Sequence, residues 1–308
     1  MKEIKIPLVH QRLKASSGLT LAADCYGDPS SRPALLLHGG GQTRHSWAGT
    51  AERLAGAGWY AVTADLRGHG KSDWDSSGQY HHEGFRDDAI ALASSFDTPP
   101  VMIGASLGGI SSLLAIAEAG NELASALILV DIATRMEADG TARIMEFMRG
   151  GGEAGFGSLE EVADAVSAYN PHRPRPKDIS GLEKNVRLCE DGRYRWHWDP
   201  NFMRVDPNHS GDTFVTHSLL DDAAAELTLP TLLVRGKNSD IVSEEGAKTF
   251  LKQVPHADFA DVSGAGHMVA GDRNDLFSEA VLSFLGKQGF WGRSQAIYTA
   301  RRLESLDH

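Results

Sequence analysis

The chain alternates between short, fully apolar runs and longer segments in which apolar residues recur at helical spacing. Each apolar run reaches Gly, Asp or Ser at its end: PALLLHGG (33–40), YAVTADLRG (60–68), VMIGAS (101–106), ALILVDIA (126–133) and TLLVRGKNSD (231–240). Continuous apolar runs of this length are typical of strands buried on both faces of a parallel sheet. The segments between them, such as 46–58 and 82–96, have the pattern of helices with one buried face.

Three weaker runs extend this sheet. IKIPLVHQRLKA and LTLAADCYG near the N-terminus are less apolar and predict antiparallel edge strands, and ADFADVSG (257–264) predicts a last strand. The whole pattern predicts an α/β fold with a doubly wound, mostly parallel sheet of about eight strands.

The alternation stops between residues 134 and 220. This segment has no clear buried strand, but it has two helical patterns (ARIMEFMRG and SLEEVADAVSAYN) and an aromatic cluster, RYRWHWDPNFM. We predict that residues 1–133 and 221–308 form the core and that residues 134–220 form a helical lid. Open α/β sheets bind ligands at the carboxyl ends of their strands, so the lid is expected to cover that edge.

Composition excludes several kinds of partner. The formal net charge of −11 over 308 residues disfavours nucleic acids and anionic lipid surfaces, which bind clustered Lys and Arg. Residues 99–117 lack charge, but their glycines and the absence of flanking anchors argue against a membrane span. No signal-peptide pattern opens the sequence, so we expect a cytoplasmic protein. A small molecule is the expected partner, and the oligomeric state stays open.

The turn after the 101–103 run carries the strongest chemical signal. Gly104-Ala105-Ser106-Leu107-Gly108 is a G-x-S-x-G motif between a buried strand and a helix, the context of a nucleophile elbow. A serine held in a tight strand-to-helix turn needs small neighbours two residues away on each side. The helix N-terminus also places free N–H groups beside the serine oxygen. Ser106 is therefore the candidate nucleophile.

A serine nucleophile needs a base and an acid that orients the base. His267 lies in the glycine-flanked SGAGHMVA loop after the last predicted strand, and Asp240 follows the strand before it. The chain order of Ser106, Asp240 and His267 is the order of this elbow class. Asp131 also ends a buried strand at the same edge and is the second candidate acid, because a buried aspartate requires a partner.

Acyl transfer further needs N–H donors for the developing oxyanion. The backbone N–H of Leu107 is one candidate. The other is expected from the loop His38-Gly39-Gly40-Gly41, whose glycines let main-chain amides approach a substrate closely. RGHGKS (67–72) has the wrong spacing for a phosphate-binding P-loop, so no nucleotide is expected. We predict neither a cofactor nor a metal.

Together, HGGG, DLRGHGKSD, GASLGG, RGKNSD and GAGHM make the chain resemble the α/β-hydrolase superfamily from about residue 5 to residue 287. The resemblance implies a serine hydrolase that needs no cofactor, with Ser106 as nucleophile, His267 as base and Asp240 as acid. It also implies Gly40 and Leu107 as the oxyanion donors. Serine at the elbow separates the chain from the epoxide hydrolases and haloalkane dehalogenases, which it otherwise resembles in layout.

The substrate is not fixed by this resemblance, because lids in the superfamily differ widely. An ester or lactone is the expected substrate. Two alternatives stay open: the enzyme could cleave a carbon–carbon bond of a β-diketone, or the protein could be a ligand receptor with slow turnover. Four aromatic residues are candidates for an apolar substrate pocket: Trp47, Phe147, Trp196 and Trp198.

Overall fold

One eight-stranded sheet organises the computed structural model, which describes residues 6–78, 80–152, 154–170, 175, 177–204 and 215–290. In chain order the strands are β1 (Leu8–Lys14), β2 (Thr20–Tyr26), β3 (Pro33–Leu37), β4 (Tyr60–Ala64), β5 (Val101–Ala105), β6 (Ala126–Val130), β7 (Val186–Leu188), β8 (Tyr194–Trp196), β9 (Thr231–Gly236) and β10 (Asp258–Val262). The sheet order is β1-β2-β4-β3-β5-β6-β9-β10. β1 and β2 pair antiparallel to their neighbours, and the remaining pairings are parallel.

Helices pack on both faces of this sheet and in the segment between β6 and β9. They are α1 (Ala48–Gly56), α2 (His82–Ala93), α3 (Leu107–Ala119), α4 (Ala138–Arg149), α5 (Leu159–Tyr169), α6 (His217–Ala225), α7 (Glu244–Gln253), α8 (Val269–Asp272) and α9 (Asn274–Lys287). In the described ranges, no helix is long and apolar enough to span a bilayer. The predicted α/β fold with a mostly parallel sheet is confirmed.

Alternation along the buried strands divides the interior into two cores. In β3, Leu35 and Leu37 face the core that contains residues of α2, α3, α6 and α7, whereas Ala34 and Leu36 face the core that contains residues of α1 and α9. Successive side chains of a strand point to opposite faces, so an entirely apolar strand must be covered on both sides. This is why the continuous apolar runs predict the parallel strands correctly.

The chain between β6 and β9 holds α4, α5, the β7–β8 hairpin and α6. The hairpin was not predicted, because its strands have three residues each and place Arg187 opposite Arg195. A separate small core joins this region: Met148, Phe156, Val162, Val186, Trp196 and Trp198. Helix α6 contacts α3 and α7 of the main body instead. The division into core and lid at residues 134–220 stays a prediction.

Candidate active site

Ser106 lies in a strained turn between β5 and α3. Its φ of 45° and ψ of −113° place a non-glycine residue at positive φ, which persists only where the surrounding structure enforces it. A Cβ added to Gly104 would overlap the carbonyl of Gly108, and a Cβ added to Gly108 would overlap the carbonyl of Leu37. Both motif glycines are therefore required by the close backbone contacts of this turn.

His267 is held by a buried carboxylate. Its Nδ1 lies 2.7 Å from Oδ2 of Asp131, whose side chain is fully buried. A carboxylate only accepts hydrogen bonds, so Nδ1 carries the proton and Nε2 of the neutral ring is the acceptor. Asp131 immediately follows β6 and has a φ of 49°, the second strained backbone position at this edge of the sheet.

Two further donors complete the surroundings of Asp131. The amide of Gly236 donates to Oδ1 at 3.0 Å, and the hydroxyl of Ser239 donates to Oδ2 at 2.5 Å. Gly236 is the last residue of β9, the strand beside β6. Together with His267 these groups satisfy a carboxylate that would otherwise be unfavourable at a fully buried position.

The prediction that Asp240 is the partner of His267 is wrong. Asp240 forms an ion pair with Arg143 of α4 and leaves about a third of its side chain (34%) exposed. Its backbone carbonyl contacts α4 so closely that a Cβ on Gly140 would overlap it. This packing fixes the loop after β9 with the carboxylate of Asp240 turned toward α4, and the alternative acid Asp131 occupies the position at His267.

The candidate residues all follow the carboxyl ends of strands in the parallel part of the sheet. The amide of Ser106 donates to the carbonyl of Val130 at 3.3 Å, directly beside Asp131. His267 follows β10 in a loop whose Ala265 carbonyl accepts from the amide of Asn238, just past β9, at 2.9 Å. The order of the strands thus brings residues distant in sequence to one edge.

The glycine loop after β3 lies against Ser106. A Cβ on Gly39 would lie 3.3 Å from Cβ of Ser106, so this loop passes directly beside the nucleophile candidate. The amide of Gly41 donates to Nε2 of His69 at 3.2 Å and is therefore already engaged. A Cβ on Gly40 would lie 3.7 Å from Sδ of Met148 and 3.8 Å from the ring of Phe202, so these two apolar side chains lie over its peptide.

Three buried histidines hold this loop, and the sequence did not indicate their common role. Nε2 of His38 accepts from the amide of Leu66 at 3.0 Å. His69 accepts from Gly41, and Nδ1 of His197 accepts from the amide of Gly70 at 2.8 Å. Each ring therefore uses one nitrogen as an acceptor, which requires the neutral form.

Burial is the main reason that these rings stay neutral. It lowers the pKa of His38 well below the ordinary value, that of His69 to about 4 and that of His197 to about 3. Two protonated rings so close together would repel each other, and this repulsion from His69 lowers the pKa values of His38 and His197 further. In His38, Nδ1 lies 2.8 Å from the carbonyl oxygen of Gly39 and Nε2 accepts from the amide of Leu66, so both ring nitrogens are engaged with the backbone.

The DLRGHGKSD segment (65–73) contains Leu66 and His69, which bind the glycine loop, and buried ion pairs hold this segment in place. Oδ1 and Oδ2 of buried Asp65 accept from the amide and the guanidinium of Arg44 at 2.7 Å and 2.6 Å, and Oδ2 also accepts from the amide of Lys71 at 2.9 Å. The guanidinium of Arg67 binds Asp88 through two hydrogen bonds, of 2.6 and 2.7 Å. These buried ion pairs fix the backbone around His69.

The four aromatic pocket candidates separate into different places. Trp47 is 1% exposed and packs on Phe277 of α9 in the main core, so its assignment to the pocket is wrong. Trp198 reaches the glycine loop, since a Cβ on Gly41 would lie 3.3 Å from its ring. The ring of Trp196 stacks on that of Trp198 with 5.1 Å between the ring centroids, and the ring of Phe147 stacks on that of Tyr169 with 4.2 Å between the centroids.

In the part of the chain that the structure describes, no three His, Cys, Asp or Glu side chains are grouped so that they could hold a metal ion. The cysteines are also separate: Cys25 is buried in the main core, and Cys189 lies near the β7–β8 hairpin. The groups that offer candidate chemistry are Ser106 in its strained turn and the hydrogen-bonded pair of His267 and Asp131. Among the described residues, no hydrogen bond joins the hydroxyl of Ser106 to His267.

Comparison with known proteins agrees with the fold. The model of the alpha/beta hydrolase family matches residues 34–280. The chain is 28% identical over 268 residues to the esterase Rv0045c of Mycobacterium tuberculosis, an alignment that covers 83% of each chain. Two solved structures of that esterase superpose with TM-scores of 0.68 and 0.67 at 26% identity, each covering 91% of this chain and 92% of that one.

Two further solved structures are similar. E-2-(acetamidomethylene)succinate hydrolase has a TM-score of 0.77 at 22% identity and covers 91% of this chain and 100% of its own. An alpha/beta hydrolase of Novosphingobium aromaticivorans has a TM-score of 0.74 at 26% identity, covering 90% of this chain and 97% of its own. The first of these likenesses bears on the fold alone.

Proposed function

The chain belongs to the alpha/beta hydrolase family, and from this premise we propose that it is a serine hydrolase that cleaves a carboxylic ester or lactone through an acyl-enzyme. The proposed nucleophile is Ser106, the base is His267 and the acid is Asp131. Asp131 replaces Asp240 in this role because it is the carboxylate within hydrogen-bond distance of the imidazole.

The observation that carries the proposal is the bond between His267 Nδ1 and the buried Asp131, at the same edge as a serine at positive φ. A carboxylate on Nδ1 selects the tautomer whose Nε2 accepts a proton, and it stabilises the imidazolium once formed. A serine held at positive φ against local sterics indicates a position fixed for function. The two features support the same reaction from independent residues.

The proposed mechanism follows from these roles. The oxygen of Ser106 attacks the substrate carbonyl while Nε2 of His267 accepts its proton, and the amides of Leu107 and Gly40 hold the oxyanion. Collapse of the tetrahedral intermediate breaks the bond to the leaving alcohol, which takes the proton from His267. Water then attacks the acyl-enzyme with His267 again as base, releasing the acid and restoring the serine hydroxyl.

Two observations favour an ester with an apolar acyl group. One relative that aligns over 83% of the chain, from Mycobacterium tuberculosis, carries the name esterase. The side chains over the peptide of Gly40 are Met148 and Phe202, which offer apolar contact beside the proposed oxyanion position. We propose that the segment between β6 and β9 serves as a lid that places these two side chains over the bound acyl group.

Labelling with a fluorophosphonate probe, combined with turnover of p-nitrophenyl esters, tests the proposal. The wild-type protein is expected to be labelled and to release p-nitrophenol, and Ser106→Ala is expected to lose both. Ser111→Ala is the matched control, since Ser111 lies in α3 and donates to the carbonyl of Leu107 within the helix. Labelling that persists in Ser106→Ala would refute the assignment of the nucleophile. Labelling without turnover of esters, lactones or β-diketones would favour a ligand receptor on this fold.

A further inference from the structure

The loop after β9 contributes a hydroxyl to the buried carboxylate. The hydroxyl of Ser239 lies 2.5 Å from Oδ2 of Asp131, the oxygen that also binds His267. We propose that Ser239 is a positioning residue for the reaction: it holds Asp131 in place and sets how strongly Asp131 attracts the proton on His267. This inference rests on the proposed function, because it concerns the same imidazole.

The hydrogen bonds around Ser239 fix the direction of its proton. Its oxygen accepts from the amide of Ile241 at 3.0 Å and from the amide of Val242 at 3.1 Å. A serine hydroxyl has one proton and two lone pairs. With both lone pairs facing amides, the proton is directed to Asp131, and the two amides make the hydroxyl a stronger donor.

The backbone of Asp131 explains why such a donor is needed. At a φ of 49° the residue is strained, and a strained conformation persists only when its surroundings over-determine it. The amide of Gly236 fixes Oδ1, whereas Ser239 and His267 share Oδ2. Without Ser239, the oxygen that orients the imidazole would be held by the imidazole alone.

The neighbouring residue shows that this is a specific use of the loop. Asp240, one position further, turns its carboxylate to Arg143 and contributes nothing to His267. The loop after β9 therefore supplies a hydroxyl, while the strand beside it supplies the acid. In the described structure these two contributions meet at one carboxylate oxygen.

Removal of the hydroxyl has a defined chemical consequence. A hydrogen bond from Ser239 spreads the negative charge of Asp131, so its loss leaves more charge facing His267 and favours the imidazolium. The pH dependence of kcat/KM is then expected to move to higher pH, because the reaction needs the neutral ring as base. A less firmly oriented imidazole is also expected to lower kcat by about 10- to 100-fold, the loss typical of metal-binding histidines whose second ring nitrogen loses its partner. KM is expected to change little.

The test compares Ser239→Ala, Ser239→Thr and Ser243→Ala. Threonine retains the hydroxyl, and Ser243 caps α7 through the amide of Gly246 without contact to Asp131. The titration of the His267 ring, followed by NMR, and the pH dependence of kcat/KM are measured for each variant. We expect Ser239→Ala to shift both upward, Ser239→Thr to restore them and Ser243→Ala to leave them unchanged.

The NMR measurement does not require turnover, so the two ideas fail separately. Loss of the proposed function would appear as an unlabelled Ser106 in the wild-type protein. The role of Ser239 would be overturned by a His267 titration that is the same in wild type and Ser239→Ala, or by a Ser239→Thr variant that behaves like Ser239→Ala.

Discussion

Acidification from pH 8 to pH 5 is expected to destabilise the fold through the buried histidines around the glycine loop. His69 and His197 are neutral in the folded protein because burial lowers their pKa values to about 4 and about 3, from an ordinary 6.5. In the unfolded chain both rings bind a proton near pH 6.5. The folded state therefore has its full stability above that pH and loses stability as the pH falls through 6.5 toward the folded pKa values.

The size of the loss follows from the two pKa values of each ring. At pH 5 an unfolded histidine of pKa 6.5 is about 97% protonated, whereas one of pKa about 4 or about 3 stays mostly neutral. Each ring therefore loses about 2 kcal/mol between pH 8 and pH 5, and the pair about 4 kcal/mol. Carboxyl groups such as Asp24 and Asp221 have pKa values lowered from 3.8, so they affect stability at lower pH and leave this window to the histidines.

Urea unfolding at pH 8, 6.5 and 5 measures this effect, with the free energy of unfolding obtained by linear extrapolation. His197→Gln keeps an acceptor and a donor near Gly70 and Gly41 but does not titrate. Its own substitution effect is the same at every pH, so the difference between pH 8 and pH 5 is expected to shrink by about 2 kcal/mol relative to wild type. His217→Gln, at an exposed position that begins α6, is the matched control.

Two results would refute this reasoning. A wild-type protein whose free energy of unfolding changes by less than about 1 kcal/mol between pH 8 and pH 5 would show that the histidines are not held neutral. A His197→Gln variant with the wild-type pH dependence would show that His197 contributes nothing to it. Either result would contradict the argument that the imidazoles must be neutral in order to accept hydrogen bonds from the backbone amides in and around the glycine loop.

Three further predictions concern the site itself. Asp131→Asn is expected to lower kcat on p-nitrophenyl esters by about 10³- to 10⁴-fold through the wrong imidazole tautomer, whereas Asp240→Asn changes it by less than about 2-fold; equal losses would contradict the assignment of the acid. Gly108→Ala is expected to lower the free energy of unfolding by about 2 kcal/mol or more, because its Cβ would overlap the Leu37 carbonyl. Circular dichroism melts compare this variant with Gly181→Ala, whose added Cβ has no other atom within 4 Å. Met148→Ala opens space over Gly40 and is expected to raise kcat/KM for longer acyl chains relative to acetate; an unchanged chain-length profile would place the acyl group elsewhere.

The parallel strands were predictable because their signal is local. A strand buried on both faces must be apolar at every position, and runs such as ALILV satisfy that condition without reference to any partner. The β7–β8 hairpin lacked this signal, since its three-residue strands include Arg187 and Arg195. The place of Trp47 depended on the packing of α9 against the opposite face, a contact between residues more than 200 positions apart.

The choice between the two acids shows what the sequence did and did not contain. Both Asp131 and Asp240 follow buried strands that lie side by side, so strand order alone favours neither. Distance from the strand favours Asp131, which comes directly after the apolar run, where its carboxylate must be buried and partnered, whereas Asp240 comes four residues after Gly236. The prediction of Asp240 gave the chain order of the three residues more weight than this distance. The contact of Asp240 with Arg143 depended on the position of α4, which no local pattern predicts.

The two strained residues, Ser106 and Asp131, place a requirement on the rest of the edge. Each backbone at positive φ is unfavourable by about 1–3 kcal/mol, and the strained residues follow neighbouring strands, β5 and β6. Their strain must be balanced by contacts that relaxation would break. For Ser106 these are the glycine contacts of the elbow, and for Asp131 they are the donors from Gly236, Ser239 and His267. Loosening either set therefore releases the strain and the geometry together, so activity is expected to fall before the sheet itself unfolds.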